Sequence, residues 1–150
     1  MAASGGGGAK ACATDDLKTT TGGYGGGTPG TYYSVIDFTN TSHASCTLYG
    51  YPGVSLRDSS SGLIGATGTR SSVRAPSLVT LAPGATANAV LGQTDPSAYP
   101  TSKCVPVTSA YLMIYPPNTT QPVELPFTGT TCSNPSVKML SITPVAAGAS

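Results

Sequence analysis

Apolar and polar residues alternate in short runs along most of this chain. Tyr32, Ile36 and Phe38 alternate with Asp37 and Thr39, a period of two that puts one face of a strand inward. Cys46 and Leu48 continue the pattern up to Gly50-Tyr51-Pro52-Gly53. There Pro52 and Gly53 suit the two central positions of a type II turn, with Gly53 supplying a positive φ. Val54 and Leu56 alternate next, and residues 58–62 read as a polar turn. Val79 and Leu81 lead to a second turn at Pro83-Gly84, and Ala87, Ala89 and Leu91 follow, alternating with Asn88 and Val90. Late strands are expected over 111–115, 122–127 and 137–145. In them Leu112 and Ile114, then Val123, Leu125 and Phe127, then Leu140 and Ile142 face inward. Near the start, residues 14–21 read as a short first strand and residues 22–30 as a glycine-rich surface loop. That loop is no phosphate cradle, because no Gly-Lys-Ser/Thr follows it and no helix pattern opens after it.

No window long enough for a helix keeps an apolar stripe free of Gly or Pro. Short strands at near-regular spacing, rich in Thr, Val and Tyr, predict an all-β fold. The expected class is an Ig-like antiparallel β-sandwich of about seven to nine strands, stapled by disulfides. Residues 1–11 are expected to be a flexible linker or tail, 12–145 the sandwich and 146–150 a C-terminal tail. The core is expected from Ile36, Phe38, Leu56, Leu81, Leu91, Leu112, Ile114, Leu125 and Ile142.

Composition narrows the partners. Charged residues make up 9% of the chain and the formal net charge is +1, so no long-range field recruits nucleic acid or an anionic membrane. Arg70 and Arg74 come nearest to a basic cluster and are expected to be solvated in a loop. No apolar run is long enough for a direct membrane span.

Cys12, Cys46, Cys104 and Cys132 are spread out, with no CxxC pair, and read as a disulfide framework and an oxidising compartment. Extracellular or cell-envelope localisation is expected. Residues 1–13 hold neither a basic start nor an apolar stretch, so the leader that export requires is expected to have been removed. The expected pairing is Cys12–Cys46 and Cys104–Cys132, which pins the N-terminal strand and ties the late hairpin. The rival, Cys46–Cys104, mimics an immunoglobulin inter-sheet bond but has no tryptophan to pack on it.

The run Cys46-Thr47-Leu48-Tyr49-Gly50-Tyr51-Pro52-Gly53, followed by Leu81-Ala82-Pro83-Gly84, then Cys104, Leu112-Met113-Ile114-Tyr115-Pro116-Pro117 and Cys132, resembles a known family. It is similar to the actinobacterial secreted and lipoprotein "domain of unknown function 4232" family, over about residues 12–145. The resemblance implies an exported β-sandwich of the cell envelope and brings no activity with it. Family members often carry a middle-strand tryptophan, which this chain lacks.

Chemistry-bearing residues are few. The chain has one histidine, His43, in a polar loop ahead of Cys46, and one glutamate, Glu124, between Val123 and Leu125. Both are expected to face solvent, without the enclosed setting that tunes a catalytic group. No Gly-x-Ser-x-Gly elbow is present, and the aspartates are scattered, so no catalytic residue is assigned. No cofactor and no metal site is expected, since Cys and His do not cluster and Met113 and Met139 read as packing. Asn40-Thr41-Ser42 and Asn118-Thr119-Thr120 match the N-glycosylation pattern by chance in Thr-rich loops.

The better material is aromatic. Of eight tyrosines, Tyr24, Tyr49, Tyr51, Tyr99 and Tyr115 lie at or beside expected loops, next to Gly or Pro. Such residues give contact area at low entropic cost, and they form the candidate binding set, Tyr51 and Tyr115 foremost. Tyr51-Pro52, Tyr99-Pro100 and Tyr115-Pro116 could each hold a cis bond. The functional expectation is a non-enzymatic binding or structural module of the envelope, with an unidentified protein or envelope-polymer partner. The alternatives are a self-associating building block of an extracellular assembly and a small secreted hydrolase.

Overall fold

A computed structural model describes residues 9–23 and 31–148 of the chain. In chain order the strands are β1 (Lys10–Ala11), β2 (Leu17–Gly23), β3 (Thr31–Asn40), β4 (Cys46–Leu48), β5 (Gly53–Arg57), β6 (Leu63–Ile64) and β7 (Thr69–Arg70). They continue as β8 (Val79–Leu81), β9 (Thr86–Thr94), β10 (Pro106–Tyr115), β11 (Val123–Cys132), β12 (Leu140–Ile142) and β13 (Ala146–Ala147). A single α-helical turn, α1, spans Thr101–Cys104.

The strands form an all-β sandwich. One layer runs β2-β3-β9-β12-β7, with β13 also paired to β9; the other runs β11-β10-β5-β6; β1-β4-β8 makes a small third sheet. Pairing is antiparallel except at two short junctions, β1 with β4 and β12 with β7. The core lies between the layers and draws on all three sheets: Ile36 and Phe38 from β3, Leu91 from β9, Leu56 from β5, Leu112 and Ile114 from β10, Leu81 from β8 and Ile142 from β12. Of the expected core, Leu125 alone is only half-buried, as are Val123 and Phe127 beside it. They lie on β11, at the edge of its sheet, where one flank has no neighbouring strand.

Both disulfides close as expected, Cys12–Cys46 and Cys104–Cys132. The first anchors the residue after β1 to the start of β4, where the Cys12 amide also donates to the Thr47 carbonyl at 2.9 Å. The second joins the end of α1 to the end of β11. All four cysteines are buried.

Several expectations need correction. Residues 14–16 form a 3-10 turn, not strand, because the Asp16 carboxylate reaches back to accept from the Ala13 amide at 2.9 Å. Regular pairing starts at Lys10 and runs to Ala147. The 137–145 strand narrows to Leu140–Ile142. The 111–115 and 122–127 strands lengthen to Pro106–Tyr115 and Val123–Cys132. Gly53 is not the left-handed residue of its turn. It starts β5 opposite Tyr115, and the positive φ falls on Gly50, at +98°. Gly84 does take a positive φ, +87°. All three Tyr-Pro bonds are trans, since no cis peptide occurs among the described residues. Tyr32, expected inward, is 59% exposed at the start of β3, where its hydroxyl donates to Asp95 Oδ2 at 3.1 Å.

Arg74 is half-buried, not solvated. Its Nε and Nη2 donate to the Pro144 carbonyl, and Nη2 also reaches the carbonyl and side-chain oxygen of Asn88. The guanidinium thus ties the 71–78 segment to β9 and to the segment after β12. Arg70, four residues earlier, is exposed at the end of β7.

Candidate functional site

The site assembles where three pieces of chain meet on the outer side of β5. Val54 and Leu56 point into the core, so Gly53, Ser55 and Arg57 take the opposite face. The register sets Gly53 opposite Tyr115, Ser55 opposite Met113 and Arg57 opposite Tyr111 on β10. Leu112 and Ile114 are in the core, which leaves Tyr111, Met113 and Tyr115 on the outer face as well. A Cβ on Gly53 would meet Tyr115 at ordinary contact distance, 3.5 Å from its Cβ and 3.6 Å from Cδ1, so the Tyr115 side chain lies directly beside this position.

The second piece is the strap 65–70. It is drawn onto β5 by the Gly68 amide, which donates to the Val54 carbonyl at 2.9 Å. A Cβ on Gly68 would lie 2.4 Å from Val54 Cγ2, so this close approach requires glycine. The third piece is the turn after β10. Thr119 Oγ1 donates to the Pro116 carbonyl at 2.7 Å, and Asn118, at φ 61°, donates from Nδ2 to the Tyr49 carbonyl at 3.4 Å.

Between them lies a cavity of about 410 Å³. Tyr51, Ser55, Arg57, Arg70, Tyr115 and Thr119 line it, on a floor that includes Gly53 and Gly68. Tyr51 is fixed at its hydroxyl, which donates to the Ser71 carbonyl at 3.2 Å. The Arg70 guanidinium stacks over the Tyr51 ring, 4.9 Å from its centroid, within cation–π range. Arg57 donates from Nε to Ser55 Oγ at 3.2 Å and from Nη1 to the Ser61 carbonyl at 3.3 Å. No carboxylate is among the described residues that line the cavity.

Of the candidate tyrosines, the structure brings Tyr51 and Tyr115 into this one cavity. Tyr49 is 51% exposed and touches the site only through its backbone carbonyl. Tyr99 is half-buried and packs on the core, as Tyr51 also does, but it lies outside the cavity. Tyr24 lies outside the described residues. His43 is exposed in the loop before β4, and Glu124 is exposed on β11, accepting from Ser61 Oγ at 3.1 Å. Neither lines the cavity. Asp95 and Tyr32, whose pKa values are clearly displaced, also lie outside it. Hydrogen bonds from the Ser97 amide and hydroxyl hold the Asp95 carboxyl below its ordinary value. The hydrogen bond to Asp95 raises the Tyr32 phenol.

Sequence reasoning missed Arg57 and the role of Arg70. Arg57 was within reach of the alternation, since Val54 and Leu56 inward place it outward. Arg70 was not, because its value comes from a strap whose path over β5 no local pattern encodes. Among the described residues no three His, Cys, Asp or Glu side chains group as metal ligands, and no helix is long and apolar enough to cross a membrane.

The family model described as Domain of unknown function (DUF4232) matches residues 12–146. The chain belongs to that family. No curated protein and no solved structure matches it. The match spans both disulfides and all three pieces of chain that build the cavity.

Proposed function

We propose that this domain is a non-catalytic binding module of the cell envelope, and that the Tyr51–Tyr115 cavity is its binding site. The observation that carries the reading is convergence. Two proline-anchored tyrosines, well separated in sequence, meet two arginines in one concavity on an otherwise charge-poor chain. The volume falls within the range of about 300–1,000 Å³ usual for small-ligand sites. The Tyr51 wall is already held by Ser71 and Arg70, so little ordering entropy opposes binding there. Two disulfides suit an oxidising compartment, which supports an exported setting. A binding role over a hydrolytic one is supported by the lining, which holds no histidine or carboxylate to act as general acid or base.

Co-sedimentation with purified bacterial cell-wall sacculi that retain their attached polymers tests the proposal. Wild-type protein is expected in the pellet. The Tyr51→Ala/Tyr115→Ala variant is expected to lose at least tenfold in apparent affinity, the usual scale for two contributing interface residues. Equal pelleting of both forms, or of neither, contradicts the reading.

A second reading, a building block of an extracellular assembly, has its own support. Tyr111 and Met113 continue the outer face of β10 beyond the cavity, and Leu63 on β6 is 50% exposed, so apolar side chains flank Arg57 on that face of the sheet. Light scattering across a concentration series distinguishes it: the binding reading expects a constant monomer mass, the assembly reading a mass that grows.

A further inference from the structure

The cavity also carries information about what fills it. Arg70 spends its guanidinium face on the Tyr51 ring, and a stacked guanidinium keeps its in-plane N–H groups for other partners. None of those N–H groups has a hydrogen-bond partner among the described residues. Arg57 is held at Nε and Nη1, which orients its Nη2 amino group without consuming it. Two oriented cations thus line a concavity whose described lining has no carboxylate to neutralise them. Beside them stand hydroxyls of Ser55, Thr67, Thr119 and both tyrosines, and the Asn118 amide is at the rim. Ring faces next to several hydroxyl and amide groups suit a saccharide, which offers apolar C–H faces and polar edges. The planar N–H fork of arginine suits a carboxylate or a phosphate.

Resting on the binding reading above, we infer that the cavity selects an anionic sugar: a saccharide unit carrying a carboxylate or a phosphate. The sugar ring lies against Tyr115 and Tyr51, and the oxyanion meets Arg70, with Arg57 beside it. Arg70 and Arg57 are the selectivity-determining residues, and the tyrosines provide binding that is indifferent to charge.

Matched probes test this by calorimetry on the full chain: methyl glucuronide against methyl glucoside, and glucose 6-phosphate against glucose. The charged member of at least one pair is expected to bind at least about tenfold tighter, as a charge-assisted hydrogen bond implies. The pair with the larger ratio tells a uronate site from a phosphate site. The ratio should shrink as salt is raised. It should collapse toward one in Arg70→Gln and survive in part in Arg70→Lys, which keeps the charge but loses the fork. Arg70 is exposed, so these variants should melt with the wild type, which shows that selectivity and not folding was lost. Equal binding of charged and neutral members overturns anion selectivity and leaves the binding site standing. No binding by any of the probes overturns the anionic-sugar assignment, while sacculus co-sedimentation reports separately on whether the domain is a binder.

Discussion

At the scale of single residues, Asn40 shows how polar chemistry holds this sandwich together. It is 0% exposed, yet every polar atom of its side chain is used. Nδ2 donates to the carbonyls of Ala44 and Leu81, each at 2.9 Å, and Oδ1 accepts from the Ser42 amide and hydroxyl. One side chain therefore ties the end of β3 to the 41–45 loop and to β8. It also takes Asn40 out of reach of any glycosylating enzyme, whatever its sequence pattern. Asn40→Ala would remove all four of these hydrogen bonds, and only the Ser42 hydroxyl and the Ala44 carbonyl keep each other as partners at 2.9 Å, so a loss of about 2–4 kcal/mol in denaturant unfolding is expected. Asn40→Asp keeps the acceptor side alone and should recover only part. His43→Ala, three residues on, changes an exposed side chain with no structural partner among the described residues. It is expected to leave both stability and sacculus binding unchanged, and a loss of function there would argue for chemistry at that loop. The Asp95 carboxyl, held low by Ser97, contributes stability that is present above its unfolded-state pKa and lost as pH falls through its folded one. Solvent screening at this surface position makes that contribution small, and Asp95→Asn should flatten it in an acid titration of melting temperature.

At the scale of elements, alternation made most strands legible and failed where pairing is irregular. In β10 the inward residues switch from odd to even between Val107 and Leu112, because the register with β11 slips between Ser109 and Tyr111. The buried Ser109 hydroxyl sits at the slip and donates to the Phe127 carbonyl at 2.8 Å. A reader following one phase sees only 111–115, and the first half of the strand is lost, as is the second half of β11. Such bulges are set by cross-strand partners, which local sequence does not name. The two-residue strand β7 escaped for a related reason: it is defined by where the strap settles, and the strap's glycines read as loop. Gly68 tests that account. Gly68→Ala must push against Val54, a stiff and buried β-branched side chain, and a destabilisation of about 1–3 kcal/mol is expected from overpacking. Because the same strap positions Arg70, ligand binding should weaken alongside stability. A fully stable Gly68→Ala protein would mean that the strap sits further from β5 than described.

At the scale of the whole molecule, two disulfides close loops with sequence separations of 34 and 28 residues. In the chain-entropy view each constrains the unfolded chain by about 3.5–4 kcal/mol, comparable to a large part of a domain's net stability. Reductant is therefore expected to lower the melting temperature markedly, and an unchanged melting curve would mean that the bonds are structurally idle. The cysteine pairing was readable because each bond joins neighbours of a simple order along the chain. The cavity was only half readable: Tyr51 and Tyr115 announced themselves by their prolines, while the arginines depended on the tertiary path. The central claim is that this cavity is where the domain binds, and chemical-shift mapping tests it most directly. Amide resonances of the isotope-labelled chain are followed while methyl glucuronide and glucose 6-phosphate are added. The account expects saturable shifts confined to Gly53, Ser55, Arg57, Gly68, Arg70 and Thr119 and their neighbours, absent in the Tyr51→Ala/Tyr115→Ala variant. Saturable shifts centred elsewhere on the sandwich would contradict it.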